Sequence, residues 1–160
     1  MKIIDNALKK EDFEQIRKLL TSWDFPWYYQ YLINGNHTKE DLDCYFTHAV
    51  YETGRNYSTF YDYFRPLINF LKVKALIRIK CNIYPRTGNI EVHEPHSDYN
   101  YKHKGAILYI NTNNGYTLLH NGTKVESIEN RLLLFDSQKP HSSTSTTDAK
   151  ARININVNYF

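Results

Sequence analysis

Apolar positions recur at helical spacing in the first part of the chain, and from Ala75 onward they recur at every second position. Phe13, Ile16, Leu19 and Leu20 share one side of a helix over Lys10 to Leu20, with Glu14, Arg17 and Lys18 opposite, so this helix is expected to pack on a sheet. A short strand is expected before it, at Lys2 to Ile4. After it, Trp23-Asp24-Phe25-Pro26-Trp27-Tyr28-Tyr29 is dense in rings and broken by Pro26, which reads as an irregular wall segment, either a core plug or a substrate contact. Asn34-Gly35-Asn36 marks a turn, and Tyr45 to Tyr51 a strand. Ser58 then reads as the N-cap of a second helix with Phe60, Phe64, Leu67, Ile68 and Leu71 on its apolar stripe, and Pro66 as a kink or boundary within it.

Strand alternation dominates the rest. Ala75, Ile77, Ile79, Cys81 and Ile83 form an apolar face, while Leu76, Arg78, Lys80, Asn82 and Tyr84 form a mostly polar one. Pro85-Arg86-Thr87-Gly88 ends that strand. Further strands are expected at Gly105 to Ile110, at Tyr116 to His120 and Lys124 to Ile128 around the hairpin signal Asn121-Gly122, and at Arg131 to Phe135. Asn113-Asn114-Gly115 is a turn and Ser142 to Thr147 a polar loop. The last strand, Ala151 to Phe160, sets Arg152, Asn154, Asn156 and Asn158 against Ile153, Ile155, Val157 and Tyr159. Asparagine is disfavoured in strands, so a face of three amides and an arginine points to a cavity lining that hydrogen-bonds a polar molecule, with a solvated edge as the bland alternative. Two helices followed by antiparallel strands give a mainly β fold with flanking helices (α+β), the helices covering one sheet of a two-sheet barrel or jelly roll.

Composition narrows the classes. At 160 residues one domain is expected, 1–74 as helical support and 75–160 as barrel core. Fourteen tyrosines suit a core or cavity walled by rings with polar tips. A formal charge of +3 with no Lys/Arg block permits an acidic or nucleic-acid partner without arguing for one. Met1-Lys2-Ile3-Ile4-Asp5-Asn6 is unlike a signal peptide and no apolar run is long enough to span a membrane, so a cytoplasmic protein with no membrane partner is expected. Cys44 and Cys81 lack CxxC partners and read as reduced, packed thiols.

The chemistry concentrates in Glu91-Val92-His93-Glu94-Pro95-His96-Ser97-Asp98. At the end of an extended segment His96 and Asp98 point the same way and can share one ion. His141 would complete a two-His-one-carboxylate face, which leaves positions open on non-haem Fe(II). Arg152 stands eleven residues past His141, at the start of the polar-faced strand, and a guanidinium is a bidentate clamp for a carboxylate. His93, three before His96, faces the other way and reads as a supporting or surface residue. His37, His48, His103 and His120 have no carboxylate at i+2 and read as surface or packing residues. Zinc hydrolysis, with Glu91 or Glu94 as base, is the competing chemistry.

With these residues in place the chain resembles the Fe(II)/2-oxoglutarate-dependent dioxygenases, and within them the prolyl 4-hydroxylase-like group. The resemblance runs from Ile3-Ile4-Asp5-Asn6-Ala7-Leu8 to the end of the chain and is most specific from Asn82 onward: His96-Ser97-Asp98, His141 and Arg152 match the family's order and spacing. Asn114-Gly115-Tyr116-Thr117-Leu118 is similar to the family's turn into the next strand. Phe25-Pro26-Trp27-Tyr28 and Arg78-Ile79-Lys80-Cys81-Asn82 are similar to short, stand-alone oxygenases of phages, which would put the protein in the host cytoplasm. The resemblance implies a double-stranded β-helix, a cofactor set of Fe(II), 2-oxoglutarate and molecular oxygen, and His96, Asp98 and His141 as metal ligands. It implies that Arg152 and Tyr109 anchor the far carboxylate of 2-oxoglutarate, with Tyr84, Asn82 and Asn154 holding or tuning it. Hydroxylation of a prolyl or other peptidyl, amino-acid or small-molecule substrate is the activity implied, with release of succinate. Asn82-Ile83-Tyr84 and Arg152-Ile153-Asn154 also echo the alkylation-repair demethylases of the same superfamily, but that branch's second arginine would fall at Asn158. A nucleic-acid oxygenase is therefore the alternative, with Tyr99-Asn100-Tyr101-Lys102-His103-Lys104 as its aromatic and basic loop. A non-catalytic metal-binding barrel is the third.

Overall fold

The alternation that begins at Ala75 becomes the centre of the larger of two antiparallel sheets. The structure is a computed structural model that describes residues 1–30 and 44–160. The expected turn at Asn34-Gly35-Asn36 and His37 lie outside the described residues. In chain order the described elements are β1 (Lys2–Ile4), α1 (Lys10–Leu20), β2 (Tyr28–Gln30), β3 (Tyr45–Glu52), β4 (Arg55–Asn56), a 3-10 turn (Tyr61–Phe64), α2 (Arg65–Phe70), β5 (Leu76–Pro85), β6 (Lys104–Tyr109), β7 (Tyr116–Leu119), β8 (Lys124–Glu126), β9 (Leu132–Phe135), β10 (His141–Ser142) and β11 (Ala151–Tyr159). The large sheet runs β1-β9-β6-β11-β5-β3-β2, with β4 on β3. The small sheet runs β10-β7-β8.

Single bridges from His96 to His141, Val92 to Thr144 and Arg86 to Thr146 extend the small sheet across the 86–96 segment. The residues after His141 thus differ from the expected polar loop. Ser142, Thr144, Ser145 and Thr146 are buried, because their hydroxyls and backbone close the second sheet over the cavity. Two facing antiparallel sheets with this strand order form a jelly roll.

The two faces of the large sheet have different partners. Ile79 and Cys81 of β5, Ala106 and Leu108 of β6, Leu132 of β9, and Ile155 and Val157 of β11 join Phe13, Ile16, Leu19 and Leu20 of α1 and Leu67 of α2 in one core. Glu11 and Asp12 in the first turn of α1 and Arg17 and Lys18 in its last complement the helix dipole. The expected second helix is split: Ser58 Oγ accepts from the Phe60 amide, the chain makes a 3-10 turn, and the α-helical part starts only where Pro66 sits near its N-terminus, a position that lacks an intrahelical donor requirement. The other face of the sheet looks inward, toward the small sheet. There Ile107, Tyr109, Leu119, Val125, Leu133 and Phe135 make a second, smaller core.

The aromatic segment after α1 is a wall only in part. Phe25 is buried against Trp27, His48 and Phe60, but Trp23 is 97% exposed and Tyr28-Tyr29 belong to the edge strand β2. A ring count could not show which of these side chains face outward. Both cysteines are free. Among the described residues no helix is long and apolar enough to cross a membrane.

Candidate active site

β11 lies between β6 and β5, so its polar face is neither an edge nor solvated: Arg152, Asn154, Asn156 and Asn158 are all buried and inward-facing. Register sets each opposite a partner on β5, Arg152 against Tyr84, Asn154 against Asn82, Asn156 against Lys80 and Asn158 against Arg78. The result is a polar floor four rungs long. One end carries the arginine and the other meets the His96 segment.

At that second end His96, Asp98 and His141 come together, each offering one ligand atom, all within 4.8 Å of one another. The backbones of His96 and His141 exchange two hydrogen bonds, at 3.0 and 2.9 Å, which holds the two imidazoles side by side with ring centroids 4.6 Å apart. Asp98 Oδ1 lies 3.9 Å from His96 Nε2 and Oδ2 4.0 Å from His141 Nε2. Atoms bound at 2.0–2.2 Å to one ion are roughly 3 Å apart, so slight side-chain rotation closes the set on a metal.

The protonation states fit. Burial opposes ionisation of Asp98, but the Arg78 guanidinium, His141 and the Asn158 amide outweigh it and hold the carboxyl below its usual range. Burial and the neighbouring His141 push His96 down to about 4, and burial also lowers His141. Two neutral imidazoles and one carboxylate are therefore ready to ligate near neutral pH.

Asp98 is fixed from behind. Arg78 Nη2 donates to Oδ1 at 2.7 Å and Asn158 Nδ2 to Oδ2 at 2.9 Å. Asn158 is itself backed by Ser137 Oγ and His103 Nε2, both at 3.2 Å. His103 is thus a buried support rather than a surface residue. His48 is likewise buried, between Pro26 O and Ser58 Oγ, and His120 is exposed. His93 stacks on Tyr84 at 5.2 Å and bonds Ser143 Oγ.

At the far end Arg152 is 0% exposed. Its Nε donates to Ser127 Oγ at 2.8 Å and its Nη2 to Thr117 Oγ1 at 3.0 Å, and its Cζ lies over the rings of Tyr84 and Tyr109, 5.5 and 5.6 Å from their centroids. Among the described residues no carboxylate pairs with it within 4.0 Å. Burial lowers its pKa. Arginine nonetheless stays charged in proteins, and a buried charge without a counter-ion is costly. The Tyr109 hydroxyl donates a hydrogen bond to Thr117 Oγ1. Asn82 Nδ2 donates to Asn154 Oδ1, while Asn82 Oδ1 and Asn156 Oδ1 are buried without a partner among the described residues. One cavity joins the two ends, lined by His96, His141, Asn82, Asn156, Thr117 and Arg152 among others.

All eight residues singled out from sequence line or back this cavity. Sequence reasoning missed Arg78, Lys80, Thr117, Ser127 and Tyr45. Arg78 and Lys80 were readable, since they share the inward face of β5 with Asn82 and Tyr84. Thr117 and Ser127 reach Arg152 only through the packing of the small sheet, which no local pattern reports. Tyr99 and Tyr101 stack on each other and Tyr101 on Phe160, so the rings of the aromatic loop pack on one another and on the end of the last strand.

The fold is similar to that of solved 2OG-Fe(II) oxygenases and prolyl hydroxylases. A prolyl hydroxylase from Trichoplax adhaerens, solved with a hypoxia inducible factor peptide fragment, is similar over 99% of this chain and 82% of its own, with TM-score 0.72 and 16% identity. A 2OG-Fe(II) oxygenase family oxidoreductase from Burkholderia pseudomallei is similar over 98% and 83%, with TM-score 0.70 and 11% identity. A prolyl-4-hydroxylase from Pseudomonas putida is similar over 99% and 91%, with TM-score 0.59 and 15% identity. No family model and no curated protein matches the chain by sequence.

Proposed function

We propose that this chain is a single-domain Fe(II)- and 2-oxoglutarate-dependent dioxygenase that hydroxylates a peptidyl, amino-acid or other small substrate. The observation that carries this reading is a two-His-one-carboxylate triad and a fully buried, carboxylate-free arginine at opposite ends of one cavity. A ligand with a chelating head and a carboxylate tail answers both. The likeness to solved oxygenases supports it at the level of fold.

His96, Asp98 and His141 would hold the metal, with Arg78 and Asn158 keeping the carboxylate ionised and aimed. Arg152, lying over the rings of Tyr84 and Tyr109, would take the far carboxylate of 2-oxoglutarate, with Thr117 setting its angle. Asn82 and Asn154 would hydrogen-bond the bound molecule along the floor. When bound, Fe(II) and 2-oxoglutarate supply the oxidising chemistry: 2-oxoglutarate and oxygen become succinate and carbon dioxide as one oxygen atom enters a substrate C–H bond. The surrounding side chains orient the reactants and exclude water.

The test is release of labelled carbon dioxide from 1-labelled 2-oxoglutarate by the Fe(II)-loaded protein in air. Slow substrate-free turnover is expected from the wild type and none from Asp98→Ala. Absence of turnover in both, or equal turnover in both, contradicts the reading.

A further inference from the structure

Among the described residues three cations stand on the inward faces of β5 and β11, and two have work already. Arg78 is bound to Asp98 at 2.7 Å and to Asn158 Oδ1 at 3.1 Å. Arg152 is fixed at the far end by Ser127 and Thr117. Lys80 is the third. It lines the cavity together with His96 and His141, and among the described residues its ammonium has no carboxylate within 4.0 Å and no hydrogen bond. Its ammonium lies over the face of the Tyr45 ring, 5.7 Å from the centroid.

Directly across the strand pair stands Asn156, 8% exposed, with a buried Oδ1 that has no partner and an amide nitrogen that donates to no described acceptor. Buried amides are ordinarily satisfied. On neighbouring strands at the triad end of the cavity, the Lys80 ammonium and the Asn156 amide nitrogen can both donate to one carboxylate, while the unpartnered Oδ1 calls for a donor such as the ammonium of an amino acid. The charges of 2-oxoglutarate would be answered by Arg152 and the metal, and that of Asp98 by Arg78. Lys80 is left over.

We propose that Lys80 and Asn156 bind a carboxylate of the primary substrate, so that the substrate is a small carboxylic acid such as a free amino acid and not an interior residue of a peptide. This rests on the oxygenase reading above and narrows it. An ammonium is a point charge and the amide supplies a directed donor, so together they orient a carboxylate beside the metal ligands. The backbone of an interior peptide residue offers only neutral amides at that place and, unless its side chain is acidic, would leave Lys80 desolvated without a counter-ion.

The test uses the protein loaded with Ni(II), which does not turn over, and saturated with 2-oxoglutarate. Binding of 2-oxoglutarate itself is measured first by calorimetry, and its failure sinks the oxygenase reading and this inference with it. The free L-amino acids and their C-terminal amides are then screened by ligand-observed NMR, with inorganic phosphate as a separate probe, and the best binder is titrated. At least one free acid is expected to bind, and its amide at least about tenfold more weakly, the size of one charge-assisted hydrogen bond. Lys80→Met should abolish that difference while leaving 2-oxoglutarate affinity unchanged, and Lys80→Arg should keep it. Equal binding of acids and amides, binding of neither, or tighter binding of phosphate than of any acid overturns the proposal. So does a loss of 2-oxoglutarate affinity in Lys80→Met, which would assign the lysine to the co-substrate.

Discussion

Arg152 can reach its place over two tyrosine rings only because the residue passing its stem is a glycine. A Cβ built on Gly115 would meet Ser145 O at 2.5 Å and Arg152 Cδ at 2.6 Å, and backbone cannot move aside as a flexible side chain can. Gly115→Ala is therefore expected to cost about 1–3 kcal/mol, the usual range for overpacking a filled site. It should also weaken 2-oxoglutarate binding, because the guanidinium is pushed off its hydrogen bonds to Ser127 and Thr117. Urea unfolding and calorimetry on the same variant check both effects. Unchanged stability and affinity would mean that Arg152 tolerates displacement and that its placement is not what selects the ligand.

At the scale of elements the central strand β11 divides the molecule. Its odd-numbered residues Ile153, Ile155 and Val157 pack on the helical layer and its even-numbered ones face the cavity. Ile155 is fully buried on the helix side. Ile155→Ala should lose about 2–5 kcal/mol of stability. It should leave 2-oxoglutarate affinity nearly intact, and an affinity loss comparable to the stability loss would show that the two faces are not independent.

This division was legible in the sequence because strict alternation leaves a strand one choice of faces. Helix α1 was legible for the same kind of reason, since four apolar residues at helical spacing define one face. The buried path after His141 was not. Ser142 to Thr147 carries no alternation, and its hydroxyls are satisfied by distant partners such as Thr87 and Tyr116. Nor could the sequence reveal that Arg78, twenty residues before Asp98, would be its closest donor. That contact depends on two sheets closing, not on local spacing.

At the scale of the whole molecule, burying several neutral histidines ties stability to pH. His93 is buried, and burial followed by repulsion from Arg152 pushes it down to about 3. Above the unfolded value of about 6.5 neither state binds a proton there. Below it the unfolded chain gains one that the folded protein refuses, so stability falls as the pH drops from about 6.5 toward about 3, by roughly 1.4 kcal/mol per pH unit for this one group. His48, His96 and His141 are lowered too and add to the same trend. Urea unfolding of metal-free protein at pH 7.5, 6 and 5 should show the loss, and His93→Gln should remove about one proton from the slope. A flat profile, or an unchanged slope in the variant, would mean that His93 is protonated in its cavity. The cavity is expected to hold a metal at one end and a carboxylate at the other. Fe(II) and 2-oxoglutarate, added without oxygen, should give the visible charge-transfer band of the chelate, lost in Asp98→Ala and requiring far higher 2-oxoglutarate in Arg152→Ala. A wild-type protein that binds Fe(II) but never develops the band would show that the triad and Arg152 do not serve one ligand.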